Sequence, residues 1–263
     1  DWTVLWAAMG YTLLGLALVY LVVVRNDRRS IGLASEEPTS TGTPAAVQGH
    51  TLGEALRSPA FWVFALASSL YGLVAAATSL FNESILQDRG FNSDAFYVLA
   101  LMTTFIGLAA NFTAGWLANW IPLGRLMAVA MGLLAAALFG LQFVSQWWQL
   151  VAYGIVMGTA GGMVTVLFFV IWGKAFGQRE LGRIQGAAQM LTVFASAVGP
   201  ALVAYCKART GAYLPMLEAF AGCAVVLGMV ACVTGVPTPR AAAEPEPEPQ
   251  TSLDSPASME PVA

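Results

Sequence analysis

The chain has 263 residues, of which 57% are hydrophobic and 10% are charged, and its formal net charge is −3. An ordinary soluble domain carries about 25% charged residues, so the composition excludes a soluble fold for most of the chain and indicates lipid as its solvent. No basic patch supports nucleic-acid binding, and Cys206, Cys223 and Cys232 lack metal or redox spacing.

Seven stretches of the chain stay apolar over about 20 residues, the length that a helix needs to cross a bilayer. They predict an all-α integral membrane protein with seven transmembrane helices, at Trp2–Val24, Pro59–Asn82, Ala95–Ala118, Leu126–Phe143, Leu150–Trp172, Ile184–Ala204 and Tyr213–Val236. The first stretch, within residues 1–24, follows Asp1 directly, with no charged region or cleavage site before it, and we therefore expect a transmembrane helix rather than a signal peptide. We expect the sequence to be part of a longer chain.

Residues 25–58 form the one long internal connection, and they are polar and turn-rich as far as His50. Thr51 and Glu54 have the spacing of a capping box, and Ser58–Pro59 is a favourable helix start. We therefore predict a short helix at the membrane interface before the second span. His50 is interpreted as a solvated side chain, with proton sensing as the alternative.

The six spans after this connection, residues 59–236, divide into two triplets, 59–143 and 150–236. Transporter halves use a three-plus-three organisation, with the substrate path near the bilayer midplane between the repeats. Residues 237–263 are rich in Pro, Glu and Ala and predict a disordered, solvated tail.

Lys and Arg lie mostly on one side of this topology, and such residues are enriched in cytoplasmic loops. One set of connections carries nine of them, Arg25, Arg28, Arg29, Arg57, Arg125, Lys174, Arg179, Arg183 and Arg240. The other set carries three, Arg89, Lys207 and Arg209. We therefore expect a multi-pass protein of the cytoplasmic membrane, with the amino end outside and the tail in the cytoplasm.

Polar side chains within the spans are costly in lipid unless they face the bundle interior or water. Asn111 lies deep in the third span, and Tyr71 offers a ring and a hydroxyl in the second. Gln185, Gln189 and Thr192 follow one another at helical spacing in the sixth span. All five are candidates for the substrate path, and interhelical hydrogen bonding is the alternative.

Two acids and several small residues complete the candidates. Glu83 and Glu218 lie near span ends and could carry a coupling proton; the alternative is a solvated carboxylate at headgroup level. Gly158 and Gly162 make a smooth helix face for close packing or sliding. The Gly199–Pro200 pair is expected to bend the sixth span, as a hinge or as a static kink.

Several segments resemble one family of carriers. The segment "FGQRELGRIQG" (176–186), with the Gly199–Pro200 pair and "TGAY" (210–213) after it, resembles the region around helices ten to twelve of major facilitator superfamily transporters. "TLGEALRSPAFW" (51–62) is similar to the lead into helix seven in the monocarboxylate and oxalate–formate carrier branch. "GWLANWIPLGR" (115–125) resembles the superfamily's loop between helices eight and nine. The resemblance gives Gly115, Asn119 and Arg125 a role in conformational change.

The resemblance implies a twelve-helix major facilitator fold that works by alternating access. This chain would be its carboxyl-terminal half plus helix six, with residues 25–58 as the central cytoplasmic loop and an amino-terminal half as the missing partner. The chain departs from the pattern in two places. In the loop motif, Asn119 stands in place of the acid and Trp120 in place of the base that follows it, so the resemblance does not carry over the motif's usual charge relay with neighbouring helices. Asn111 stands where carboxylate carriers of the branch tend to have an arginine, and this departure argues against a monocarboxylate substrate.

Together these features predict a secondary active transporter in the lipid bilayer that moves a small organic solute and uses no cofactor or metal. A seven-helix receptor or a non-transporting scaffold is the alternative, because it would have the same topology. The spans contain no histidine and no paired carboxylates, so we do not expect an enzyme.

Overall fold

The computed structural model of the protein describes residues 2–23 and 49–235. The regular elements in these ranges are α1 (Trp2–Val23), α2 (Leu52–Arg57), α3 (Pro59–Asp88), α4 (Ser93–Leu117), α5 (Leu123–Gly140), a 3₁₀ turn (Leu141–Phe143), α6 (Trp147–Phe176), α7 (Leu181–Thr210) and α8 (Leu214–Val233). One antiparallel bridge joins Gly49 to Gly177. The predicted loop up to residue 48 and the predicted tail, 237–263, lie outside the described residues.

Seven of these helices are long and apolar enough to cross a membrane, which confirms the number of predicted spans and the all-helical fold. The predicted ends were wrong in several places, because α3 continues to Asp88 and α7 begins at Leu181 and continues to Thr210. A helix of 30 residues, as in α3, α6 and α7, is about 45 Å long at 1.5 Å per residue. It exceeds the hydrocarbon thickness of about 30 Å, so these helices tilt or project beyond it.

The described residues fall into two compact units, with α1 in the first and residues 49–235 in the second. In the first unit, α1 has no charged residue along its whole length. The second unit contains α2 to α8. Its helices fall into the triplets α3–α4–α5 and α6–α7–α8.

Helices of one triplet pack mainly against helices of the other. The main pairs are α4 with α6, α3 with α7, and α5 with α8. In chain order, α3 corresponds to α6, α4 to α7 and α5 to α8. Exchanging the two triplets in this way turns the α3–α7 pair into the α6–α4 pair and leaves the α5–α8 pair unchanged. The packing therefore has the pattern of two three-helix repeats related by a pseudo-twofold axis.

The second unit has two ends, which are named here after one residue in each. The His50 end consists of the connections 49–58, 118–122 and 177–180 with the helix turns next to them. The Tyr213 end consists of the connections 89–92, 144–146 and 211–213 with the helix turns next to them. At the His50 end, Trp172 is fully buried, with its ring centroid 5.4 Å from that of Phe61 and 6.2 Å from that of Phe176. This aromatic cluster joins the start of α3 to the end of α6.

Glycines bring α4 and α6 into backbone contact. A Cβ atom on Gly162 would overlap the carbonyl oxygen of Gly107, and one on Gly158 would lie 3.0 Å from the carbonyl oxygen of Thr103. In lipid, helix association depends on this kind of close van der Waals packing, since lipid chains are as apolar as the side chains. Gly158 and Gly162 therefore lie in the packing interface between α4 and α6, and sliding at this interface stays a prediction.

A second close approach joins α7 to α3. A Cβ atom on Gly199 would overlap the carbonyl oxygen of Leu73. Pro200 follows directly and lies inside α7, which runs as helix from Leu181 to Thr210. Gly199 is thus required for the α3–α7 contact, and the bend at Pro200 stays a prediction.

Candidate functional site

A cavity lies between α3, α4 and α6, in the part of these helices nearer the Tyr213 end. Its volume is about 590 Å³, within the range of about 300–1,000 Å³ that small-molecule sites occupy. Its polar lining consists of Tyr71, Thr78, Ser79, Asn82, Thr103, Thr104, Asn111, Tyr153 and Thr165. Every lining residue belongs to the described part of the chain, and none of them is an Asp, Glu, Lys, Arg or His.

Two of the predicted substrate-path residues meet in this cavity. Tyr71 reaches it because α6 has a glycine opposite, and its hydroxyl packs against Gly161 where a side chain would otherwise be. Asn111 lies one turn after Gly107, at which α4 contacts Gly162 of α6. The glycine contacts therefore position both polar side chains on the same space.

Seven polar lining residues are not among the predicted ones: Thr78, Ser79, Asn82, Thr103, Thr104, Tyr153 and Thr165. Thr103 precedes Asn111 by eight residues, which places the two on one helix face. Helical spacing from Asn111 could therefore have indicated Thr103. For Tyr153 and Thr165 the sequence offers no comparable signal, because their role depends on which helices α6 meets.

The Ser and Thr hydroxyl groups of the cavity donate to carbonyl oxygens of their own helices. Thr103 Oγ1 donates to the carbonyl oxygen of Leu99 at 2.9 Å, and Thr165 Oγ1 donates to that of Gly161 at 2.8 Å. The same pattern holds for Thr78, Ser79 and Thr104. Such bonds satisfy the hydroxyl proton and leave oxygen lone pairs for another partner.

The predicted polar residues of α7 lie outside the cavity lining. Thr192 faces α3, and its Oγ1 is 3.4 Å from Ser69 Oγ. Gln185 is half-buried and Gln189 is exposed. Thr192 therefore contacts a neighbouring helix, and none of the three residues lines the cavity. Their place on a substrate path stays a prediction.

The two acids predicted as proton carriers are exposed side chains near the Tyr213 end. Glu83 lies in α3 and accepts a hydrogen bond from Gln87 Nε2 at 3.2 Å. Glu218 is near the start of α8. Neither lines the cavity, and a role in coupling stays a prediction for both.

At the His50 end, Lys174 joins α6 to the end of α4. Its Nζ donates to the carbonyl oxygen of Ala118 at 2.7 Å and to Asn119 Oδ1 at 3.2 Å. A cation is favourable there because the carbonyl groups at a helix carboxyl end carry partial negative charge. Asn119 thus binds a cation without being an acid. Gly115 has room for a side chain, since a Cβ atom added there would lie 3.6 Å from the nearest atom, and Arg125 is exposed.

Glu180 fastens α2 to the turn between α6 and α7. Its Oε2 accepts a hydrogen bond from the backbone N–H of Leu52 at 2.9 Å, and its Oε1 accepts one from Arg183 at 3.1 Å. The backbone N–H of His50 donates to the carbonyl oxygen of Phe176 at 2.8 Å. The segment that leads into α3 is therefore held by the turn after α6.

The predicted capping box is present at the start of α2. The backbone N–H of Thr51 donates to Glu54 Oε2 at 2.8 Å, and the N–H of Glu54 donates to Thr51 Oγ1 at 3.3 Å. The bond from the Thr51 backbone holds the pKa of the exposed Glu54 carboxyl below its usual value, and the Thr51 side chain adds to this effect. The short helix and its capping box are therefore present as predicted. Its position at the membrane interface stays a prediction.

The Tyr213 end is held together by an ion pair, a cation–π contact and a hydrogen bond. Lys207, in the last turn of α7, pairs with Asp88 at the end of α3, and its Nζ lies 4.4 Å from the ring centroid of Tyr213. The Tyr213 hydroxyl is 3.0 Å from Ser84 Oγ. These contacts hold the ends of α3 and α7 together with the start of α8.

Among the described residues, no group of three His, Cys, Asp or Glu side chains could hold a metal ion. The model of one protein family, described as Major Facilitator Superfamily, matches residues 1–200 and 83–261 of the chain. The comparison with curated proteins finds no match.

Proposed function

This chain belongs to the Major Facilitator Superfamily and is a membrane protein of a transporter class, and from that premise we propose that it is a secondary carrier. It moves a small organic solute by alternating access. The observation that carries this proposal is the cavity of about 590 Å³ between α3, α4 and α6, which is of the right size for such a solute. A receptor or scaffold is not favoured by this family membership.

The solute path includes Tyr71 and Asn111, which line the cavity. The solute path extends to α7 only if a further part of the carrier packs opposite this helix and forms a second wall of the path. It would then include Gln185, Gln189 and Thr192. An amino-terminal half of five more helices is the proposed source of that wall. The proposed branch, that of the monocarboxylate and oxalate–formate carriers, rests on the motifs at 51–62 and 176–186.

The His50 end is the proposed cytoplasmic side. Within the described residues it carries Arg57, Arg125, Lys174, Arg179 and Arg183, against two acids, Glu54 and Glu180. The Tyr213 end has three bases, Arg89, Lys207 and Arg209, against four acids, Glu83, Asp88, Asp94 and Glu218. The excess of Lys and Arg at the His50 end supports this orientation in a cytoplasmic membrane.

A counterflow experiment tests the carrier mechanism. The product of the complete reading frame is reconstituted into liposomes, which are loaded with a millimolar unlabelled solute and diluted into a trace of the same solute in labelled form. A panel of small carboxylates, amines, amides and polyols is tested. A carrier accumulates the label transiently for at least one of them, because one binding site faces the two sides in turn, whereas a receptor or scaffold does not.

Variants then test the path. We expect Asn111→Leu to lower uptake at least about tenfold, equivalent to about 1.4 kcal/mol, at an unchanged amount of protein in the membrane. Gln189→Leu is expected to lower uptake only if α7 faces the second wall. Phe112→Leu is the control, since Phe112 is the exposed neighbour of Asn111 on α4 and does not line the cavity. Full uptake by Asn111→Leu would remove this cavity from the path.

A further inference from the structure

Resting on the proposed function, we infer that the cavity selects a solute that donates hydrogen bonds and is not an anion, with the hydroxyl oxygens of Thr78, Ser79, Thr103, Thr104 and Thr165 as fixed acceptors. The transported chemical class would then be that of amides, amines or hydroxylated compounds rather than carboxylates.

The fixed acceptors are the first step of the argument. All five hydroxyl protons are used in bonds to carbonyl oxygens of the same helix, and the shortest bond of each hydroxyl is between 2.8 Å, for Thr78 to Val74, and 3.1 Å, for Ser79 to Ala76. A hydroxyl has one proton and two lone pairs. What these groups can offer a solute is therefore an acceptor, and three different helices provide them.

The remaining polar groups of the lining can bind either a solute that donates hydrogen bonds or one that accepts them. A phenol hydroxyl, as in Tyr71 and Tyr153, both donates and accepts, and so does the amide of Asn82 or Asn111. Among the described residues, no side chain or backbone group makes a hydrogen bond with these four groups. The five fixed hydroxyls therefore give the lining more hydrogen-bond acceptors than donors, and this excess favours a solute with N–H or O–H groups.

An anion is poorly matched to this lining. A carboxylate only accepts hydrogen bonds, so it would face five acceptors with which it cannot pair. A charge that leaves water also needs an opposite charge or several donors close to it, and the wall that α3, α4 and α6 form in the described part of the chain holds no Lys, Arg or His. A cationic amine is not excluded on this ground, because hydroxyl oxygens and the rings of Tyr71 and Tyr153 stabilise ammonium groups.

Binding of four related compounds tests the inference directly. Benzoate is an anion without a donor, methyl benzoate is neutral without a donor, benzamide is neutral with donors, and benzylammonium is cationic with donors. Their equilibrium binding to the full-length protein in lipid nanodiscs is measured by ligand-observed NMR, with empty nanodiscs to subtract partition into lipid. We expect benzamide or benzylammonium to bind at least about tenfold more tightly than the two compounds without a donor. Which of the two binds distinguishes a neutral from a cationic solute.

A matched pair of variants on α4 shows whether the fixed acceptors are responsible. Thr103→Val removes the acceptor and should weaken binding of the preferred compound about 3- to 10-fold, the effect of one neutral hydrogen bond. Thr103→Ser keeps the oxygen and should retain binding. Thr113→Val is the control, because Thr113 makes the same bonds to its own helix, at 3.1 Å to Ala109 and 3.0 Å to Ala110, and lies outside the cavity.

Each outcome has a defined meaning. Equal or tighter binding of benzoate or methyl benzoate, binding of none of the four, or an unchanged affinity in Thr103→Val would overturn the inference. Counterflow of carboxylates alone would overturn it while leaving the carrier mechanism intact. Binding of benzamide or benzylammonium without counterflow of any solute would overturn the carrier mechanism and leave the inferred selectivity intact.

Discussion

The backbone contact between α4 and α6 yields a prediction with a sign and a magnitude. In Gly162→Ala the added Cβ atom would overlap the carbonyl oxygen of Gly107 and would lie 2.7 Å from Cβ of Ala110. Neither neighbour is the end of a flexible side chain, so the helices must move apart. Overpacking of this kind costs about 1–3 kcal/mol. The gain in helix propensity from Gly to Ala, at most about 1 kcal/mol, offsets part of it.

The variant Gly173→Ala separates the cost of overpacking from the gain in helix propensity. Gly173 lies on the same helix, and a Cβ atom there would have no neighbour within 4 Å. This variant should gain the propensity without the overlap. The unfolding free energy of Gly162→Ala is therefore expected to fall below that of Gly173→Ala by about 1–3 kcal/mol. The measurement is reversible unfolding in mixed micelles with increasing dodecyl sulfate. Equal stability of the two variants would show that α4 and α6 are not in backbone contact at Gly162.

Two further predictions concern the His50 end. The lowered pKa of Glu54 means that its stabilisation of α2 is complete above the usual carboxyl value of 4.5 and is lost as the pH falls through the lower folded value. Hydrogen-exchange protection of α2, corrected for intrinsic rates, should then decrease as the pH falls. Glu54→Gln should remove this pH dependence, because Gln keeps the capping box without titrating. A decrease of the same size in Glu54→Gln would show that Glu54 is not the group responsible. Asn119→Asp should stabilise the protein by about 0.2–1 kcal/mol through an ion pair with Lys174, seen as a higher melting temperature at low salt that disappears at 1 M salt. A gain that persists in a Lys174→Met background would rule out that ion pair.

The sequence was sufficient for the number of helices and insufficient for their ends. Long apolar stretches report the passage through hydrocarbon, and each of the seven became a helix. The helical backbone of α3 continues through Gln87 and Asp88, and that of α7 continues through Lys207 and Arg209. Hydropathy does not detect these turns because their polar and charged residues lower the mean hydropathy although the backbone stays helical. The start of α2 was predictable because a capping box is a local interaction within four residues.

The site was only partly predictable, for a geometric reason. Helical spacing shows which residues of one helix share a face, and so it could group Gln185 and Gln189. It does not show which helix that face meets. Tyr71 and Asn111 share a cavity because glycines on α6 allow α3 and α4 to approach, a relation between segments about 50–90 residues apart in sequence that a single sequence does not contain.

The crossing of α4 and α6 has a consequence for the evolution of the protein. Gly107 lies against both Gly158 and Gly162, so three residues without side chains meet at one point. When two larger residues are in contact, growth of one can be compensated by shrinkage of the other. Here no smaller residue exists, and compensation is impossible. In related sequences these three positions should therefore either remain glycine together or change together with the angle at which the two helices cross.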